Sequence, residues 1–177
     1  FPEGASTKNN GGKFPLHFAA ANISDVGIFR EVYKSFPKAI TEKETKNYSK
    51  PLHYACAFQA PLQIIQFLIK NHREAIEQKD RSGNLPLHLS LVYDSPEDVC
   101  IFLLDSYPNA ITERDRKGRM SIHIAMQSTT ITSFVLEKLL SLQPEAINDI
   151  VITPENNNNE SESNDKNISL DKPWIDS

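Results

Sequence analysis

Histidine recurs along this chain at a nearly fixed interval: His17, His53, His88 and His123 are spaced 36, 35 and 35 residues apart. Each stands in the same short setting, Pro15-Leu16-His17, Pro51-Leu52-His53, Pro86-Leu87-His88 and Ser121-Ile122-His123. An Ala-Ile pair keeps the same period at 39–40, 75–76, 110–111 and 146–147, with Pro37, Pro108 and Pro144 two positions ahead of it. A glycine stands five residues before the histidine at Gly12, Gly83 and Gly118. Self-similarity at such a period confines a chain to stacked units, because one unit is too small to bury an apolar face alone.

Each unit reads as two short helices and a turn. Proline suits the first helical position, where its missing N–H would have had no partner. A stretch rich in small residues follows, as in Leu52-His53-Tyr54-Ala55-Cys56-Ala57, and lets neighbouring helices approach closely. Breaks come at Ile23-Ser24-Asp25, Gln59-Ala60-Pro61 and Asp94-Ser95-Pro96. The second helix carries an apolar stripe at helical spacing, Ile64, Ile65, Phe67 and Leu68 in one unit and Val99, Phe102 and Leu103 in another. The linker to the next unit is polar and turn-rich, as in Glu113-Arg114-Asp115-Arg116-Lys117-Gly118.

This pattern resembles the ankyrin repeat, whose signature is Thr-Pro-Leu-His-x-Ala in units of about 33 residues. The resemblance implies an all-α fold, an α-solenoid of stacked helix–turn–helix repeats. It places repeats at about 12–46, 47–82, 83–117 and 118–153, preceded over 1–11 by the end of a preceding repeat and its turn. Phe1-Pro2-Glu3 lies 16 residues before His17 as Tyr107-Pro108-Asn109 lies 16 before His123, so the chain is expected to begin inside a longer array. Phe14, Phe18 and Ile28 are then expected to face that earlier neighbour. The signature's threonine is replaced by Phe14, Lys50, Leu85 and Met120, which removes the threonine-to-histidine hydrogen bond.

Nineteen Lys and Arg against 23 Asp and Glu leave a net charge of −4. All of it belongs to residues 154–177, with six acids and two bases; residues 1–153 are balanced. This acidic Asn/Ser/Glu-rich tail is expected to be disordered, apart from an apolar island at 170–175 around Trp174. A neutral array with an acidic tail speaks against nucleic-acid binding. No apolar run of about 18 residues predicts a membrane insertion. Cys56 and Cys100 are too few for a disulfide framework, so a reducing interior, cytoplasmic or nuclear, is the expectation.

No metal, cofactor or catalytic set is expected. Helices in neighbouring layers stand about 8–10 Å apart, so one histidine per layer cannot converge on a zinc ion about 2 Å from each nitrogen. His17, His53, His88 and His123 are read as structural repeat histidines bonded to backbone groups, and His72 as exposed. Cys56 and Cys100 read as buried filler. Glu42, Glu44, Glu77 and Glu113 read as solvated turn charges. The sequons at Asn22, Asn47, Asn159 and Asn167 read as coincidence in a chain rich in Asn and Ser.

What remains is a surface. In the resembling family, partners contact the turn tips and the inner helices. The corresponding positions here include Lys13, Lys46, Ser49, Arg81, Asn84, Arg116, Lys117 and Arg119 on the turns, and Asn22, Phe58, Tyr93 and Gln127 at the helix ends. The expected partner-binding strip is Phe58, Arg81, Tyr93, Arg116, Lys117 and Arg119, because aromatics and arginine dominate binding hot spots. The function that follows is a non-catalytic protein–protein interaction module, a scaffold or adaptor. Its partner is a protein offering an acidic segment, with no small-molecule substrate. Reversal of Arg116 and Arg119 together is expected to weaken binding with the fold intact. The alternative is the regulatory or targeting region of a larger enzyme or channel. The chain's own acidic tail is either a competitor for the strip or a cap over the last unit.

Overall fold

The computed structural model describes residues 2–128, 131–142 and 144. The Ala-Ile pair at 146–147, the sequons at 159 and 167 and the whole tail from 154 lie outside them. A short helix, α1 (Pro2–Ala5), precedes four helix pairs. The inner helices are α2 (Pro15–Asn22), α4 (Pro51–Ala57), α6 (Pro86–Val92) and α8 (Ser121–Ala125). The outer helices are α3 (Val26–Ser35), α5 (Leu62–Asn71), α7 (Glu97–Ser106) and α9 (Ser133–Leu142). Each inner helix packs on the next inner helix and on its own outer partner, which makes a stack of pairs. Short 3-10 segments at Pro37–Thr41, Arg73–Glu77 and Pro108–Ile111 follow three of the outer helices.

The reason for the repeat's composition lies in this packing. An inner helix is covered on both sides by its neighbours and behind by its outer partner, so every residue of α4 is buried. Ala19, Ala20, Ala55, Ala57, Ser90 and Ala125 keep these layers close. Leu16, Leu52, Leu87 and Ile122 repeat one core position, and Ile40, Ile76 and Ile111 of the 3-10 segments close the core from below. Burying each such side chain contributes roughly 1.5–3 kcal/mol. The outer helices bury one stripe only, Ile64, Ile65, Leu68 and Ile69 on α5 and Val99, Cys100, Leu103 and Leu104 on α7. Phe14 departs from expectation. It is 5% exposed, closed over by Phe36 at 5.2 Å and Lys8 at 4.9 Å of the same end of the array, whereas Phe18 and Ile28 are exposed.

The turns between units are built by one side chain each. Asp80 Oδ1 accepts from the backbone N–H of Ser82 and Asn84, both at 2.8 Å, and Asp115 does the same for Lys117 and Arg119 at 2.8 and 2.9 Å. Asn9 takes this place in the first turn, from Gly11 and Lys13. Gly12, Gly83 and Gly118 supply the left-handed residue, with φ of 74°, 80° and 76°. The second turn is different, and explains the single spacing of 36. It is one residue longer, Tyr48 takes the left-handed position with φ 56°, and Glu44 replaces the aspartate.

Glu44 is therefore not a solvated charge. It is 0% exposed, with Oε2 accepting from Lys46 N–H at 2.7 Å and Oε1 from Asn47 and Ser49 N–H at 2.6 and 3.2 Å. The extra methylene spans the extra residue. Ser49 is buried beneath it rather than offered to a partner. Replacing Glu44 by Gln turns one acceptor into an amide donor facing a backbone N–H. Leaving a buried donor unsatisfied costs about 1–3 kcal/mol, so Glu44→Gln is expected to lower the unfolding free energy by that amount, read as a lower urea midpoint at unchanged slope. An unchanged midpoint would mean that water, not the carboxylate, satisfies the turn.

Candidate functional site

The turns do not stand apart from one another. Thr45 N–H donates to Gly11 O at 3.1 Å, Arg81 N–H to Asn47 O at 2.6 Å and Arg116 N–H to Ser82 O at 2.9 Å. These bonds weld the tips into a ladder and bring Arg81 and Arg116 to equivalent places on it. Beside the ladder runs the C-terminal end of α6, where Val92 is exposed and Tyr93 half-buried. Between them lies a groove of about 530 Å³. Leu89, Val92 and Tyr93 give it an apolar floor, Asn47, Ser82 and Asn84 a polar wall, and Arg81, Arg116, Lys117 and Arg119 a cationic rim broken by Asp115.

Five of the six expected strip residues thus line one groove, but they are not equivalent. Arg81 is anchored, with Nη1 donating to Lys46 O at 3.1 Å and the guanidinium 5.4 Å from the centre of the Tyr48 ring. Arg119 is committed more firmly. Its Nε and Nη2 both lie 2.8 Å from Asp115 Oδ2, and this pair closes the turn around a carboxylate that is 7% exposed. These donors hold the Asp115 carboxyl below its ordinary range although burial pulls the other way. Arg119→Glu would set two carboxylates against each other inside the turn, so this reversal is expected to cost stability as well as charge. Arg116 and Lys117 are exposed and have no ion pair among the described residues. Phe58 lies outside the groove, at the C-terminal end of α4, stacked on Tyr54 at 6.2 Å. Leu89 and Val92 escaped the sequence reading. Their spacing from Tyr93 along one helical face, i, i+3 and i+4, is the signal that finds them.

The repeat histidines do what their setting suggested, with the backbone in place of the missing threonine. Nδ1 of His17, His53, His88 and His123 accepts the N–H of Phe14, Lys50, Leu85 and Met120 at 3.1–3.2 Å. That bond fixes the tautomer with hydrogen on Nε2, and His53 Nε2 meets Gln78 O at 2.9 Å. In His17 and His88 the buried Nε2 faces the backbone near Glu42 and Glu113 without closing a bond of good geometry. Burial lowers His17, His53 and His88 to about 4.

Two further polar groups are better hidden than their types suggest. Lys50, 7% exposed in the threonine slot, has Nζ 2.7 Å from His72 Nε2, so His72 is half-buried and paired rather than exposed. Burial and Lys43 hold Lys50 below its usual value. Cys56 and Cys100 are both buried, and burial pushes both thiols up to about 12. Among the described residues no three His, Cys, Asp or Glu side chains converge on a metal position, and no helix is long and apolar enough to cross a membrane.

A family model of three consecutive ankyrin repeats matches residues 16–115, more than half of the chain. The chain belongs to the ankyrin repeat family. The match runs from the first Pro-Leu-His motif to the turn at Asp115, and α8 with α9 continues the same ankyrin stacking beyond it. Ankyrin repeats are generally protein–protein interaction modules and are typically non-catalytic. No curated protein matches the chain at a significant level.

Proposed function

We propose that this ankyrin array is an adaptor or scaffold that takes an acidic segment of a protein partner into the groove beside α6. The observation that carries the reading is the meeting of an apolar floor, Leu89, Val92 and Tyr93, with two rim cations, Arg116 and Lys117, that hold no ion pair among the described residues. An extended segment with one or two apolar side chains between carboxylates suits both features. Its apolar groups lose water on the floor, and its acids gain charge-assisted hydrogen bonds at the rim. Arg81 and Arg119 contribute charge but little freedom, since each already serves its own turn. Phe58, one layer further along, lengthens the strip.

The test uses the full chain as bait, with mass spectrometry to identify the captured protein and a titration of the purified pair. Arg116→Glu with Lys117→Glu is expected to weaken binding at least about tenfold, with the larger change in association rate and at low salt. Reversal of Lys34 and Lys70 on the outer helices is the matched control and is expected to change little. Equal effects from both pairs, or none from the first, would move the docking surface elsewhere.

A further inference from the structure

We propose that residues 170–176 of this chain occupy the groove in cis when no partner is bound. The proposal rests on reading the groove as the docking surface and names its resident. The segment reads Leu170-Asp171-Lys172-Pro173-Trp174-Ile175-Asp176, apolar residues held between two carboxylates. That is the chemistry the groove selects: Trp174 and Ile175 for the floor of Leu89, Val92 and Tyr93, Asp171 and Asp176 for Arg116 and Lys117. Pro173 biases the preceding residue towards extended backbone, which fits a strand-like segment laid along a groove.

Charge and reach favour this site over the apolar depression on α9 and over the exposed residues of the first helix pair. The chain's entire net charge of −4 resides in 154–177. Beyond the groove, the depression on α9 with Phe134 and Leu142 is lined by Asp105 and Glu137, and its Lys138 is already bonded to Asp105 at 2.7 Å. An acidic segment is repelled there. Phe18 and Ile28 stand at the opposite end of the array, in the first helix pair. The groove is one layer from α9. A connector over 145–169 extends to about 90 Å at most and has a root-mean-square span of about 25–30 Å if flexible, enough to cross a layer of about 10 Å. Tethering supplies an effective concentration of order millimolar, so a weak contact is enough to fill the site. A partner must then carry the same chemistry and displace the tail.

Trp174 is the only tryptophan, which makes the test direct on the full chain. Its emission is expected to be blue-shifted and slow to quench with acrylamide. Arg116→Glu with Lys117→Glu, or Asp171→Lys with Asp176→Lys, is expected to move it to the emission of water-exposed tryptophan, as is raised salt, with far-ultraviolet circular dichroism unchanged. The tail pair lies outside the repeats, so its result stands even if the array variant fails to fold. Releasing the tail with Asp171→Lys and Asp176→Lys, which leaves the groove itself unaltered, is also expected to tighten partner binding by about tenfold. Water-exposed emission in the unaltered chain would overturn the proposal. So would buried emission that ignores both charge reversals and salt but is lost in Phe134→Ser, the behaviour of a cap on α9. Either result leaves the groove's partner titration to stand or fall by itself.

Discussion

Acidification from pH 6.5 to pH 4 is expected to unfold this array cooperatively, with about three protons taken up per molecule near pH 5. His17, His53 and His88 are neutral when folded, because burial lowers each to about 4 from an ordinary 6.5. In the unfolded chain the same rings bind protons below 6.5. The unfolded state therefore holds more protons across this window, and stability falls as pH falls. Their contribution is complete above pH 6.5 and is lost as pH drops through the folded value. By pH 4.5 each ring removes on the order of 2 kcal/mol, against a typical whole-domain stability of about 5–15 kcal/mol. Asp80, raised by burial, works in the opposite direction in the lower part of the window. Urea midpoints followed by circular dichroism from pH 8 to pH 4 measure the slope. His53→Ala is expected to be less stable at pH 7.5, having lost its bonds to Lys50 and Gln78, yet to show one proton fewer in the slope. A slope below one proton in the unaltered chain would show that the rings charge without unfolding.

Gly83→Ala is expected to cost far more than Gly118→Ala, although the two glycines have the same backbone conformation. Both lie at positive φ, 80° and 76°, where a β-carbon costs about 1–2 kcal/mol. At Gly118 that is the whole cost, because an added carbon meets nothing within 4 Å among the described residues. At Gly83 it lands 2.8 Å from Arg116 N and 3.2 Å from the carbonyl carbon of Asp115. Backbone cannot swing aside as a side chain does, and Arg116 N–H is the donor that ties this turn to Ser82. A total of about 3–4 kcal/mol is expected for Gly83→Ala. With about 3 °C lost per kcal/mol for a chain of this size, melting is expected about 3–6 °C lower for Gly118→Ala and roughly 10 °C lower for Gly83→Ala. Partner binding is expected to suffer only in Gly83→Ala, since Arg116 rides on the displaced turn. Equal melting points would mean that the ladder between the turns yields at no cost.

The repeat, the helix pairs and the bonding of the histidines to the backbone are legible in the residues themselves. They rest on local rules repeated from unit to unit: proline at the start of α2, α4 and α6, a small-residue face on the inner helices, and an apolar stripe on the outer ones. A signal that recurs at a fixed period averages out the accidents of any single unit. The exceptions were not legible. Glu44, Ser49 and Lys50 carry the residue types of a solvated turn, and only the one-residue insertion and the layers above and below it make them buried. Sequence alone leaves His72 exposed because its partner, Lys50, is 22 residues away and meets it only across the fold. The strip showed the same division. Sequence placed Arg81, Arg116, Lys117 and Arg119 on the turn tips, since a tip is a local feature. Which of them is spent on Asp115 or on Tyr48, and which faces an apolar floor, is decided by how one turn docks on the next. Composition and period determined that this chain stacks. The ladder of backbone bonds between turns, a contact between residues about 35 apart, decided where its charge is free.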